Sequence, residues 1–374
     1  MAIRNVLVTG GAGFIGSHLA DELLEYGYHV RALDNLTSQV HGESQKRPSH
    51  LAADVELLVG DVRDRATMKK ALHGIDAVFH FAATVGADQS TYDVERYTSV
   101  NNVGTAVLAE ALVEHRVERL VVASSMSVYG EGLFRDREGR THHGRSRPVE
   151  QLDRHEWELE DDRGRVLTPL ATPETKSISL ESIYALSKFD QERMCLLLGR
   201  AYEIPTIALR LFNVYGPRQS LSNPYTGMLA TFASRLIDGE RPLVLEDGNQ
   251  RRDFVNVKDV ARACRLALEK VDVCDAVVNI GSGKPVAVAE VAKSMAAITG
   301  QRALTPNLTD KYRLGDVRHC YADINLARRL LGYEPEVALD GGLADLVHWL
   351  RGQITKERFA QAKRSPDERG LTHA

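Results

Sequence analysis

The stretch Val6-Leu7-Val8-Thr9-Gly10-Gly11-Ala12-Gly13-Phe14-Ile15-Gly16 decides the fold. Residues 3–8 form a short apolar run that ends in glycines, the pattern of a buried first strand. From Phe14 to Tyr26 the spacing turns helical, with Phe14, Ile15, Leu19, Leu23 and Leu24 on one side. Gly10 allows the tight turn between the two elements. Gly13 lets the backbone approach a pyrophosphate, and Gly16 lets helix and strand pack closely. The helix N-terminus then offers free N–H groups and a positive dipole end to phosphates. This strand–turn–helix context predicts a dinucleotide cradle.

Working outward, strands and helices alternate. His29 to Leu33, closed by Asp34-Asn35, reads as a second strand, and Val55 to Val59, closed by Gly60-Asp61, as a third. Ala77 to Phe81 and Leu120 to Ser124 read as strands, Ala66 to Leu72 and Val103 to Glu114 as helices. The alternation predicts the α/β class, a Rossmann-type doubly wound parallel sheet covered on both faces. The mixed polar stretch 131–178 breaks the rhythm and is expected to be an insertion beside the active site, partly ordered at best. The pattern resumes with a helix through 182–201 and a strand at 206–211. A smaller C-terminal α/β region follows, with helices at 228–238, 287–299 and 342–352 and a strand at 277–280. The expected division is a nucleotide-binding domain over 1–205, a mainly substrate-binding region over 206–354 and a charged, frayed tail over 355–374.

A chain of 374 residues can bury a large core. Its net charge of −4 argues against a nucleic-acid or membrane-surface partner. Cys195, Cys264, Cys274 and Cys320 are scattered without CxxC spacing, which argues against structural zinc and a disulfide framework and fits a reducing cytoplasm. No signal peptide is expected, since no basic patch precedes a long apolar run, and no stretch reaches membrane-spanning length.

Asp34, at the end of the second strand, can accept both hydroxyls of an adenosine ribose and would repel a 2′-phosphate, which favours NAD over NADP. Asp61 ends the third strand, where an acid can accept from an adenine amino group or simply close a turn. The chemistry points to Ser182-Ile183-Tyr184-Ala185-Leu186-Ser187-Lys188 and to the strand end Ser124-Ser125. A free phenol has a pKa of about 10. A tyrosine acting as a base near neutrality must drop by roughly 3 units, about 4 kcal/mol. The i,i+4 spacing puts Lys188 on the face of Tyr184, where its ammonium favours phenolate. Ser125 can hold a substrate hydroxyl and relay its proton.

The chain resembles the extended short-chain dehydrogenases/reductases of the NDP-sugar epimerase/dehydratase family. The matching stretches are TGGAGFIGSHL (9–19), LDNL (33–36), GDVRD (60–64), FHFAA (79–83), VNNVGT (100–105), SSMSVYG (124–130), YALSK (184–188), LRLFNVYGPRQ (209–219), RRDFVNVKDVA (251–261), NIGSG (279–283) and RLGDVRHCYAD (313–323). The resemblance implies a cofactor site that takes in Phe14, Ile15, Asn35, Val62, Phe81, Ala82, Ala83, Asn101, Tyr184 and Lys188 beside the glycines and the two aspartates. It also implies a sugar-nucleotide site at Ser127, Asn213, Arg252, Arg313 and Asp316, where two arginines can grip a diphosphate.

Relatives that dehydrate carry an Asp-Glu pair where this chain has Met126 and Ser127, because eliminating water needs a separate acid and base. Decarboxylating relatives keep a Glu at the position of Ser127. What remains is epimerisation at C4 of an NDP-sugar through a 4-keto intermediate, with NAD retained. The alternatives are a net 4-ketoreductase or dehydrogenase, a 4,6-dehydratase, and a non-catalytic redox-sensing protein on the same scaffold. The insertion and TPETK (172–176) resemble the dTDP-L-rhamnose 4-epimerase branch. The insertion has no cysteine pair, so no metal is expected, and His142, His143 and His155 are expected on the surface. The resemblance also implies a homodimer built on the helix near 103–114 and the one carrying Tyr184.

Overall fold

The computed structural model describes residues 3–42, 46–219 and 227–353. The expected tail, 355–374, lies outside them. Seven parallel strands form the main sheet, in the spatial order Ala276–Ile280, Thr206–Leu211, Arg119–Ser125, Ala77–His80, Asn5–Thr9, His29–Asp34, Glu56–Val59. Parallel strands are covered on both faces, which is why Leu7, Val8, Phe79, Val122 and Leu209 are completely buried although they point to opposite sides. On one face lie the helices Phe14–Glu25 and Val257–Glu269, around Leu19, Leu23, Val260 and Ala263. On the other lie Arg65–Leu72, Gly104–Glu114 and Ile183–Tyr202, around Met68, Leu108 and Leu196.

Chain order reverses between Asn5–Thr9 and Ala77–His80. Connections leave these two neighbours in opposite directions and open a crevice at the strands' carboxyl ends. Thr9, Asp34, His80 and Ser125 all terminate strands at that rim.

Three expectations need correction. The cut at 205/206 is not a boundary in space, because Thr206–Leu211 and Ala276–Ile280 complete the main sheet. The smaller unit is assembled from what lies between and after them. There Arg251–Asn256 pairs with Asn213–Tyr215, Pro285–Ala287 and His319–Cys320. Helices Met228–Ile237, Val288–Ile298 and Leu339–Gln353 enclose its own core.

The helix expected from Val103 has a longer approach: Val94–Tyr97 runs into a wide turn, Thr98–Val103, before Gly104–Glu114. Its polar and β-branched residues hide the helical period.

The insertion is ordered. Leu133–Arg135 pairs with both Thr141–His143 and Thr168–Leu170 in an antiparallel sheet. Buried ions rather than a large apolar core tie it down. Glu131 accepts from the backbone N–H groups of Arg318 (2.6 Å) and His319 (3.0 Å). Arg147 pairs with Glu246 at 2.8 Å, and the fully buried Arg318 pairs with Glu158, Glu246 and Asp247. Charged residues read as solvated when the sequence stands alone; here Glu131, Arg147 and Glu158 find partners in distant segments.

Candidate active site

A cleft of about 940 Å³ occupies the rim of the main sheet. Gly10 turns with φ +71°, and a Cβ there would stand 3.0 Å from the Ala82 nitrogen. A Cβ on Gly16 would stand 2.3 Å from the Gly10 carbonyl, so helix and strand touch as the motif predicts. Gly13 differs: the nearest atom to a Cβ there is its own turn's Gly10 oxygen, at 3.3 Å. Its space opens on the cleft, and no side chain among the described residues caps this helix N-terminus. The motif misses Gly11, whose Cβ would meet the Ala32 Cβ at 2.7 Å. The second strand imposes that glycine, and only its position in a Gly-Gly pair hints at it.

Asp34 does not cap the short helix that follows. Its carboxylate accepts from the Ala12 N–H (3.1 Å) and the Leu36 N–H (3.0 Å), while His41 Nε2 stands 3.5 Å away. It is thereby locked beside the glycine turn. Asp61 is engaged differently. Arg63 grips both its oxygens at 2.8 Å and Asn35 donates at 3.1 Å. These bonds, Arg63 first, hold its pKa down to about 2. Val62, Phe81, Ala82 and Ala83 also line the cleft, as do Phe14 and Ile15.

Ser182 caps the Ile183–Tyr202 helix by accepting from the Ala185 N–H at 3.0 Å, which places Tyr184 in the first turn at the cleft wall. Burial raises the phenol's pKa, and a hydrogen bond with Ser125 offsets part of that rise. Ser125 Oγ also accepts from the Ser127 N–H (3.2 Å) and the Ser127 hydroxyl (2.9 Å). Ser127 therefore supports Ser125 in addition to facing the cleft. Lys188 is 3% exposed, and burial pushes its pKa down to about 8. Its ammonium donates to Gln191 Oε1 at 2.8 Å.

Of the expected sugar-nucleotide residues, Ser127 and Asn213 line the cleft with Ser125, Tyr184 and Lys188. Asn213 Oδ1 is buried and has no hydrogen-bond partner among the described residues. Arg252 and Asp316 do not line it. They pair with each other at 3.3 Å, and Arg252 also donates to the carbonyls of Arg318 (2.9 Å) and Val317. Arg313 closes a turn to Asp316, the Asp316 N–H donating to its carbonyl at 3.2 Å. Arg252 stands two residues from Phe254, which does line the cleft, on the same side of the strand. Asn101, expected at the cofactor, does not line the cleft. It is wholly buried behind the cleft, accepting from the Thr84 N–H (2.7 Å) and donating to the Thr84 carbonyl (3.0 Å) and Ser187 Oγ (2.9 Å). Its amide matches a backbone edge, which a side-chain inventory does not reveal.

Two sets of residues went unread in the sequence. Tyr97 stacks edge-on against Tyr184 at 6.3 Å, with its hydroxyl 2.6 Å from the Gly86 carbonyl. Under the serine strand, Glu192 accepts from Ser124 Oγ (2.7 Å) and from Arg210 (2.7 and 2.9 Å). The only advance signal is an arginine inside the apolar run Ile207-Ala208-Leu209-Arg210-Leu211, where a buried charge demands a partner. Among the described residues no group of three or more His, Cys, Asp or Glu is placed to hold a metal ion. His142 pairs with Asp136 at 2.9 Å, and His143 and His155 are exposed.

The fold and this rim define a nucleotide-binding domain with a Ser/Tyr/Lys oxidoreductase-type site. The family model for the NAD dependent epimerase/dehydratase family matches residues 6–154 and 165–281. The chain belongs to that family. It is 35% identical to the dTDP-L-rhamnose 4-epimerase of Burkholderia thailandensis, over 95% of this chain and 97% of that one. It is 32% identical to a putative UDP-glucose 4-epimerase of Methanocaldococcus jannaschii, over 92% and 98%. Among solved structures, the UDP-glucose 4-epimerase of Thermotoga maritima with UDP-glucose superposes with a TM-score of 0.76 at 31% identity, covering 94% of this chain and 100% of that one. The UDP-glucuronic acid 4-epimerase of Bacillus cereus, with UDP-glucuronic acid and NAD, gives 0.74 at 27%, again covering 94% and 100%.

Proposed function

We propose that this protein is an NAD-dependent epimerase that inverts C4 of a nucleotide-diphosphate sugar. The observation that carries the reading is the Ser125–Tyr184–Lys188 set at the mouth of the glycine cradle, with Met126 and Ser127 beside it. The cradle suits a dinucleotide: Gly13 leaves the uncapped helix N-terminus open, and Asp34 is held where ribose hydroxyls can donate. Bound NAD supplies the acceptor and donor for the C4 hydrogen. Gly10, Gly13, Gly16 and Asp34 hold it, with Lys188 at the nicotinamide ribose and Asn35, Asp61 and Val62 at the adenosine end.

Tyr184 takes the proton of the sugar's C4 hydroxyl and returns it to the same oxygen once the keto sugar has turned its other face to the cofactor and C4 has regained its hydrogen there. Ser125, hydrogen-bonded to the phenol, holds that hydroxyl and passes the proton. Lys188 favours the phenolate through its charge. Met126 cannot transfer a proton and serine is far too weak an acid, so the keto sugar is not diverted into elimination. Ser127 and Asn213, with its unpartnered amide oxygen, receive the sugar. Arg252, Arg313 and Asp316 serve the diphosphate and ribose. In the described structure Arg252 and Asp316 satisfy each other, and the nucleotide would have to exchange with that pair. The nucleotide is dTDP or UDP, as in the named relatives.

A homodimer accounts for the exposed apolar side chains on the two helices, Val113 on Gly104–Glu114 and Leu186 and Leu197 on Ile183–Tyr202. No helix among the described residues is long and apolar enough to cross a membrane. Four free cysteines support a reducing, cytoplasmic compartment. The deciding assay incubates purified protein with a panel of dTDP- and UDP-sugars and follows the C4 configuration by NMR, without added cofactor. Epimers should interconvert without net nicotinamide turnover. Tyr184→Phe should lose about 10²–10⁴ in rate while keeping NAD. Stoichiometric consumption of added NADH would instead establish the ketoreductase.

A further inference from the structure

Behind the catalytic wall lies a buried polar chain that no part of the mechanism above uses. Lys188 Nζ donates to Gln191 Oε1 at 2.8 Å. An ammonium has only donors, so the orientation of the amide is settled by this contact. The Gln191 NH₂ in turn faces Thr105 Oγ1 (3.0 Å) and the Ala82 carbonyl (3.3 Å). Thr105 donates to the Asn101 carbonyl at 2.5 Å, so its oxygen is free to accept. His80 spans Thr9 Oγ1 and Thr105 Oγ1, at 2.9 Å each. Gln191 and His80 are completely buried. The glutamine thus joins the catalytic lysine to the backbone of Ala82 on the cleft wall and to the helix that starts at Gly104.

Few other ionisable groups face this point, and of these Glu192 acts on the lysine through its charge although it is itself paired. On its own helix, burial raises the pKa of the Tyr184 phenol and pushes the Cys195 thiol up to about 12. Glu192 is bonded to Ser124 of the neighbouring strand and paired with Arg210 of the next. From the strand Ala77–His80, burial first and the lysine's charge second push His80 down to about 3. Asn101 and Thr105, from the third side, carry no charge.

We propose that Gln191 is a positioning residue whose uncharged amide oxygen holds the Lys188 ammonium at the catalytic wall while leaving its positive charge uncompensated for the Tyr184 phenolate. A carboxylate at the same place would hold the lysine as firmly but would cancel its field. An apolar residue would leave a buried ammonium with no acceptor. The inference rests on the Tyr184–Lys188 assignment above, and its test needs no sugar.

The test follows the Lys188 side-chain ¹³C resonance against pH in ¹³C-lysine-labelled, NAD-loaded protein, the signal being assigned by its loss in Lys188→Arg. Gln191→Glu should raise the lysine's midpoint by about 1–3 units, as an opposite charge at contact distance does. Gln191→Met should lower it by about one unit, since burial then acts without an acceptor. With an active substrate, kcat should fall in both variants with KM little changed, and its alkaline limb should follow the lysine. Opposite shifts are the signature of a neutral acceptor; a merely structural role would move the melting temperature and leave the two midpoints together. Midpoints unchanged in both variants, or displaced in the same direction, overturn the proposal. If Gln191→Glu fails to fold, Gln191→Met decides alone: an unmoved midpoint refutes, a lowered one supports. Should no sugar nucleotide prove to be a substrate, the titration still stands, so the two readings fail separately.

Discussion

Replacing Arg210 with methionine should cost about 3–5 kcal/mol of folding free energy, the range for removing one partner of a buried ion pair. Arg210 is 4% exposed and donates to both Glu192 oxygens, at 2.7 and 2.9 Å, and to the Tyr129 hydroxyl at 2.9 Å. Its guanidinium also lies over the Tyr129 ring, 4.8 Å from the centroid. Methionine fills the space of the arginine stem, so little of the loss comes from a cavity. What remains is a carboxylate 1% exposed, held only by the Ser124 hydroxyl at 2.7 Å. The appropriate assay is urea unfolding of wild type, Arg210→Met and the double variant Arg210→Met/Glu192→Gln. The double variant no longer buries a lone charge and should recover more than half of the loss. Because Ser124 precedes Ser125, activity should fall with the single variant and partly return with the double. A single-variant loss below about 1 kcal/mol, the level of an exposed pair, would refute this account. So would a double variant no more stable than the single.

Three further expectations concern the cradle, the lysine and the insertion. Gly16→Ala forces a Cβ to within 2.3 Å of the Gly10 carbonyl. It should destabilise by about 1–3 kcal/mol and weaken NAD retention, measured by denaturant unfolding and by nucleotide released on precipitation. With Lys188 acting in its charged form as proposed above, and burial lowering its pKa to about 8, kcat should decline as pH rises through that value. Lys188→Arg should abolish the alkaline limb, whatever its absolute rate, because the guanidinium stays charged. Glu131 is fully buried by its surroundings, and burial raises its pKa to about 7 against an ordinary value of 4.5. Between those values the folded state binds more protons than the unfolded, so this group's contribution falls as pH rises from 4.5 to about 7 and stays low above it. Glu131→Gln should flatten that slope in unfolding measured across the same window.

Much of the site was legible in local sequence because its chemistry depends on short spacings. The i,i+4 interval of Tyr184 and Lys188 and the glycines at 10, 13 and 16 act within one turn of helix, so adjacency in sequence is adjacency in space. Strand ends were legible too: in a parallel sheet every strand delivers its last residue to one rim, and Asp34, Asp61 and Ser125 arrive there together. Long-range pairing was not legible. That 206–211 and 276–280 would close the main sheet follows from burial of both strand faces, not from any local signal. Asn101, expected at the cofactor by resemblance, lies buried behind the cleft because its amide fits the Thr84 backbone.

By itself, then, the sequence determined the glycine turn and the placing of Tyr184 and Lys188 on one helix face, since those rest on steric and helical rules that hold over a few residues. Tertiary structure alone decided that the polar segment 131–178 would be ordered and that the Gln191 amide would close against Ala82 and Thr105. The physical reason is one of desolvation. An ion or amide is worth burying only when distant segments supply its partner, and which segment does so is known only once the chain has closed.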